Sequence, residues 1–313
     1  MFSGMRTLIT DLIDEVIEVE DPDSEMVMNQ VFHIKKMTRG QDKNYRIGGF
    51  GRPTERLKLA DFDDVNLTEG EMQTTNPINW GFQFAVAEED IQDLEDAGPH
   101  DGESVAKLVS YAEITERMKF SGFWRADTEC AAKLINGTST AARYVGRDGK
   151  ALFSSTQTGL DNPPSVQSNV STGVSMTPNN IMTDISAIET QKDDRGGWMR
   201  SSKTYNIVMG EQLRWTASEI FNTDKAVYSA NNTANPLYDM RDKITRTIWK
   251  ELGTSYSGWF TFGDRHTLEW LWRQRPKFSK DGDWAVNAIK YKMSMRGVAR
   301  HKDWRHAIGH PTS

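Results

Sequence analysis

The sequence predicts an α+β fold, and three stretches carry the prediction. Glu103–Asn136 is free of proline and carries one apolar stripe at helical spacing. Trp80–Val86 (WGFQFAV) sets Trp80, Phe82, Phe84 and Val86 at alternate positions, the period of a strand. Between Thr177 and Phe221, helix, strand and helix signals follow one another closely, the mark of a compact α+β unit.

In the long stretch, Val105, Leu108, Val109, Ala112, Phe120, Phe123, Cys130 and Leu134 form the stripe, with Lys107, Ser110, Arg117, Ser121 and Arg125 opposite. Gly98-Pro99 and Ser104 mark its start, Asn136-Gly137 its stop. At 1.5 Å per residue the helix is about 50 Å long, far beyond the usual three turns. Gly122, midway, is a candidate kink. A compact domain has little use for such a rod, whereas a flat subunit packed against copies of itself does.

Met5–Ile17 reads as a short amphipathic helix with Leu8, Ile9, Leu12, Ile13, Val16 and Ile17 on its apolar side. Glu18–Glu25 is acidic and broken by Pro22, and Met26–Ile34 is mixed and extended. Lys35–Lys58 reverses the sign, with 8 basic residues against Asp42 and Glu55, and contains Gly48, Gly49, Gly51 and Pro53. Leu57, Leu59, Phe62 and Val65 alternate, and Gly70 and Asn76-Pro77 mark turns. Thr38–Val86 therefore reads as a long two-stranded excursion with a glycine-rich tip, which needs a second surface to lie on. Ala87–Leu94 is a short helix, and Thr138–Gly173 is a loop containing the apolar pair Leu152-Phe153. Thr177 caps a helix to Lys192 that buries Ile181, Ile185 and Ile188. Tyr205–Met209 is a covered strand, and Gly210–Phe221 a helix with Leu213, Ala217 and Ile220 inward. Arg246–Glu251 and Trp259–Gly263 are strands, Leu268–Trp272 a turn or strand, and Asp283–Ala307 long strand material that packs on the long helix.

The composition fits extended parts covered only in an assembly. Hydrophobic residues make up 37% of the 313, with a mean hydropathy of −0.63, too polar for one large globule. The net charge of −6 is uneven: Met1–Asp101 has 22 acidic against 9 basic residues, and Asp264–His310 has 11 basic against 5 acidic. Such ends are expected to meet, within or between subunits. Cys130 alone excludes a disulfide framework and favours synthesis in a reducing cytosol. There is neither a signal peptide nor an apolar run of membrane-spanning length.

The sequence offers no enzyme site, cofactor site or metal site. Gly48-Gly49-Phe50-Gly51 lacks the strand, helix and lysine of a phosphate cradle and reads as a loop tip. His301, His306 and His310 lack zinc-helix spacing and read as surface histidines. Asp61, Asp63, Asp64, Asp281 and Asp283 read as solvated strand ends or turns, and Cys130 as inert core. The basic, aromatic tail (Trp284, Tyr291, Arg296, Arg300, Trp304, Arg305) reads as sheet packing ahead of a nucleic-acid stacking surface.

The order of parts resembles the major capsid protein of tailed bacteriophages of the Hong Kong 97 (HK97-like) type. Ser175–Asn235 is similar in residues to Mu-type head subunits: Met176-Thr177-Pro178, the turn Gln191–Gly196, the strand Tyr205–Met209, Ala217–Ile220 and Asn235-Pro236. The resemblance implies an N-terminal arm (1–34), an extended loop (35–86), a peripheral domain (87–174 and 283–313) with Glu103–Asn136 as its spine helix, and an axial domain (175–282). It implies pentamers and hexamers in an icosahedral shell around double-stranded DNA, without sequence-specific contact. It also implies a portal, a separate scaffolding protein since the arm begins at Met1, decoration proteins in some members, and location in the virion after synthesis in the bacterial cytoplasm. On this reading Leu8, Leu12, Ile13 and Val16 bury against an adjacent subunit, while Arg46, Arg52, Arg56 and Lys58 lie over an acidic neighbouring surface. Lysine–asparagine joining, known in some members, has no assignable partners here. Another self-assembling phage part, or an enzyme using the histidine-rich end, are the alternatives.

Overall fold

In the computed structural model, residues 26–48, 55, 56, 58, 61, 62, 69–90, 92, 102–160, 165–194, 196–225, 234–283 and 287–312 are described. Side chains of 102–113, 115, 116 and 283 lie outside that description. So do Leu8, Leu12, Ile13, Val16 and Arg52. A short helical turn α1 (Met28–Val31) leads into β1 (His33–Lys36). The hairpin β2 (Asp42–Ile47) and β3 (Glu69–Thr75) follows, then β4 (Ile78–Ala87) and the helix α2 (Gly102–Ile135). The helix is 34 residues long and runs unbroken through Gly122. Met118, Phe123, Ala126, Cys130, Ala131 and Leu134 are buried along it. Phe120, expected on the same stripe, is 43% exposed. On that flank the turn carrying Met28 meets the helix two turns further on, at Asp127.

Gly122 serves close approach where the sequence suggested a kink. A Cβ there would stand 3.0 Å from the ring of Pro276 and 3.3 Å from the methyl of Met293. Those residues belong to β10 (Leu268–Asp283) and β11 (Ala288–His301), the central strands of a sheet ordered β1-β10-β11-β4. Trp80, Phe82, Phe84 and Val86 sit opposite Met295, Met293, Tyr291 and Ile289. The alternation at Trp80–Val86 therefore marks the edge strand of the body sheet, whereas the expectation had it returning along the excursion. Leu268–Trp272 is likewise the start of a 16-residue strand. Pairing along its length with β11 outweighs the local Arg-Pro break at 275–276.

A second sheet runs β12-β9-β7-β8: β12 (Ala307–His310), β9 (Trp259–Gly263), β7 (Tyr205–Met209) and β8 (Ile244–Ile248). β7 is paired on both sides, which is why it reads as an apolar run. Lys250 and Glu251, expected to end a strand from Arg246, fall instead in a 3₁₀ turn, Lys250–Leu252. The helices α3 (Pro178–Glu189) and α4 (Arg214–Asn222) supply Ile181, Ile185, Ile188, Ala217, Ile220 and Phe221 to its core. Thr177 caps α3 by accepting from the amide of Asn180. Asn235 caps α5 (Pro236–Asp239) and donates to the carbonyl oxygens of Ile220 and Thr223.

Among the described residues of 138–173 there is a two-residue ladder, β5 (Gln157–Thr158) with β6 (Val166–Gln167), and the isolated bridges Val145–Ala151 and Val170–Gly309. Leu152 and Phe153 nonetheless reach the main core, Phe153 stacked 5.2 Å from Phe260. Buried Asn169 ties the loop down: it accepts from the amide of Ser154 and donates to the carbonyls of Leu152 and Ala307. His301, His306 and His310 are all buried, against the surface placement expected of them. His301 ends the inner strand β11, His306 precedes β12 and His310 ends it, and His310 stacks 4.0 Å from Trp259 and bonds Asp184. Trp304 and Arg305 are buried too, consistent with packing over base stacking.

Lys133, on α2, is buried beside His301, and burial pulls its amine down to about 7. The unfolded amine titrates near ~10.4, so between pH 7 and 10 the unfolded chain holds the extra proton and stability rises with pH. Lys133→Met should raise the unfolding free energy at pH 7 by a few kcal/mol, on the order of what such burial costs, and by much less at pH 10. Urea midpoints at the two pH values check it; an equal gain at both contradicts it.

Candidate assembly surfaces

Strand alternation gives the β2–β3 hairpin two unlike faces. Asp42 pairs with Thr75, Asn44 with Gln73 and Tyr45 with Met72, so polar residues share one face and Tyr45, Ile47 and Met72 the other. The polar face rests on the chain's own body. Gln73 donates to the carbonyl of Val145 at 2.9 Å, and Asp42 pairs with Arg300. Arg46 is 3% exposed; its guanidinium donates to Asp194 and to the carbonyl of Thr158, each at 2.6 Å. Arg46 thus corrects the expectation that it lies over a neighbour: its charge is satisfied within the subunit, on the inward face of the pleat.

Three carboxylates, Asp194, Asp303 and Glu269, organise the ground beneath. Asp194 also accepts from Arg305 at 2.8 Å, and Arg305 pairs with Asp303, which pairs with Arg147 at 3.0 Å. Burial alone would raise the Asp303 carboxyl, but Arg305 and Arg147 hold it below its ordinary value. Glu269 accepts from Lys35 at 2.5 Å, Arg300 at 2.9 Å and Lys302 at 3.0 Å. Its burial would also raise it, and those cations win. The acidic early region and the basic late one do meet inside the subunit, at Asp42 and Arg300.

The other hairpin face is uncovered: Tyr45 is 58% exposed, with Ile47 and Met72 beside it. A second uncovered apolar surface lies between β4 and α2. Trp80, Phe82, Trp124, Arg125 and Met293 line a groove of about 500 Å³. Trp124, 50% exposed, is held by its indole nitrogen donating to Glu251 at 2.7 Å, and Glu251 also takes the hydroxyl of Thr128. Nearby, the carboxylate of buried Asp127 accepts from the amide of Met28 and the indole of Trp249, each at 2.7 Å. That anchors the root of the N-terminal segment to α2. Burial raises the Asp127 carboxyl, and these two bonds oppose the rise.

Of the other expected contacts, Arg56 is exposed and stacks 4.2 Å over Phe62, and Lys58 is exposed. Tyr45, Ile47, Met72 and Trp124 were missed by the sequence reading. The alternation in KNYRI was visible but was overshadowed by its charges, and Trp124 falls off the helix stripe. Among the described residues, no cluster of histidine, cysteine or carboxylate side chains could hold a metal, and no helix is long and apolar enough to cross a membrane.

The fold is that of the Hong Kong 97-like capsid subunits of tailed phages. The mature capsid of bacteriophage PhiM1 matches with a TM-score of 0.55 at 12% identity, over 90% of this chain and 85% of that one. The capsid of Ralstonia phage GP4 matches at 0.51 and 11%, over 90% and 86%. The capsid of a native GTA particle matches at 0.51 and 10%, over 91% and 90%. No protein-family model matches the sequence, and no curated protein matches it.

Because Tyr45 and Met72 face solvent, the double change Tyr45→Ser with Met72→Ser should leave the unfolding free energy of the dissociated subunit within about 0.5 kcal/mol. Urea unfolding of dilute protein tests this, and a loss of several kcal/mol would show that the face is already covered within the chain.

Proposed function

We propose that the chain is the major capsid protein of a tailed phage, building an icosahedral shell around double-stranded DNA from pentamers and hexamers. What carries the reading is a capsid-subunit fold with two apolar surfaces, the outer hairpin face and the β4–α2 groove, that are exposed among the described residues. In a repeated shell each copy offers one surface and receives the other, a heterologous contact that closes into rings. Full burial of an aliphatic or aromatic side chain contributes ~1.5–3 kcal/mol, so the few named here suffice for many weak, cumulative contacts.

In this proposal residues 1–34 are the arm, and Leu8, Leu12, Ile13 and Val16 bury against an adjacent subunit. The extended loop is 35–86, with Arg52, Arg56 and Lys58 over a neighbour, where their charges set register and association rate more than affinity. The peripheral domain is 87–174 and 283–313 with α2 as its spine; its strand β11 pairs with β4 and β10, which come from the loop and axial ranges. The axial domain is 175–282, around five- and six-fold axes, and β12 from the peripheral range joins its sheet. The chain acts without catalysis, beside a portal and scaffolding, with decoration proteins as further partners. It is made in the host cytoplasm and carried in the virion.

Negative-stain electron microscopy of the expressed chain tests the reading. Closed particles with five- and six-fold rings are expected; a single fixed ring or tube would point to a connector or tail part, and a stable monomer would refute it. Deleting residues 1–25 should leave a cooperatively unfolding subunit that no longer closes shells. Normal shells from that variant would remove the arm from the account.

A further inference from the structure

We propose that Asp194 is the positioning residue that fixes the β2–β3 hairpin to its own subunit before assembly, and so sets the direction in which the extended loop leaves the body. The role in assembly rests on the capsid reading; the positioning itself does not.

The grounds are geometric. Asp194 lies in the turn after α3, on the side of the second sheet, yet a single oxygen of its carboxylate accepts from Arg46 at 2.6 Å and from Arg305 at 2.8 Å. All three side chains are almost fully buried. From Arg305 the charges continue in alternation through Asp303 to Arg147. Arg147 then donates to the carbonyl of Tyr45 at 3.4 Å, the residue next to Arg46. The chain of charges leaves β2 at one residue and returns to it at the neighbouring one. Glycine at position 70 lets the hairpin settle, since a Cβ there would stand 3.1 Å from the Cβ of Arg46 and 3.1 Å from Leu160.

The inner face of the hairpin is polar, so apolar packing does not hold it. Apolar contacts tolerate sliding, whereas a buried guanidinium–carboxylate contact is short, directional and strongly penalised when one member is lost. Removing the Asp194 charge leaves the buried guanidinium of Arg46 without a carboxylate, while Arg305 keeps Asp303. Replacing Asp194 and Arg46 together by apolar side chains of similar size removes that penalty and the directionality, and leaves Arg305 paired with Asp303. Those two changes separate a positioning role from a merely stabilising one.

The test uses the full-length chain with spin labels at Lys43→Cys and Lys203→Cys, both exposed sites, diluted into excess unlabelled protein so that only distances within one subunit count. The native background should give one narrow distance distribution. Asp194→Asn should widen it at least two-fold. The double variant Asp194→Leu, Arg46→Met, which leaves Arg305 on Asp303, should recover the melting midpoint but keep the wide distribution. A narrow distribution in the double variant overturns the proposal, and it stays decisive if Asp194→Asn fails to fold. In parallel, Asp194→Asn should slow shell formation at least ten-fold. Shells forming at the native rate from a subunit with a widened distribution would overturn the link to assembly. No shells from the native chain would sink the capsid reading and leave the distance result to decide the positioning role.

Discussion

The approach of α2 to the β10–β11 hairpin is the constraint from which the rest of the subunit follows. Gly122 lets the helix come down onto Pro276 and Met293, where a Cβ would already be in tight contact at 3.0–3.3 Å. With the helix seated, the buried side of the sheet is defined, and β4 must present Trp80, Phe82 and Phe84 to the helix side at the sheet's edge. The edge strand and the helix cannot fully cover each other there, which leaves the groove beside Trp124. The same seating places Asp127 where it takes the amide of Met28, so the root of the N-terminal segment is fixed by the spine helix as well.

The subunit divides its interactions by kind. Its two cores are apolar and ordinary. The hairpin is attached by buried charges and side-chain amides, and its apolar residues point away. A chain that had to be stable as a monomer would place those faces the other way round. Under the proposed function, the apolar residues that point away are the ones available for contact between copies. Fold likeness at 10–12% identity fits the same logic, since alternation, helix length and a few close approaches constrain the residues more than their identities do.

The elements set by local chemistry were legible in the sequence. The spine helix, the cap at Thr177, the strand Tyr205–Met209 and the helix after it follow from spacing, capping and an apolar run. What was not legible depended on distant partners. Trp80–Val86 reads as a strand in any context, but only β11 decides which sheet it joins. Arg46 reads as a surface charge until Asp194, 148 residues away, is placed beside it. His310 looks hydrophilic and is buried because its strand lies against β9, and His301 because it sits on β11 paired with Leu268. At the candidate surfaces, the charged residues of the loop drew the reading, while the contacts now implicated are its aromatic and aliphatic neighbours.

The central claim is that each copy covers apolar surface its siblings leave bare. Hydroxyl-radical footprinting of assembled particles against dissociated subunits, read at Tyr45, Met72, Phe82 and Trp124, measures this residue by residue. The account predicts that all four are reactive in the subunit and protected several-fold in the particle. Equal reactivity in both states would contradict it.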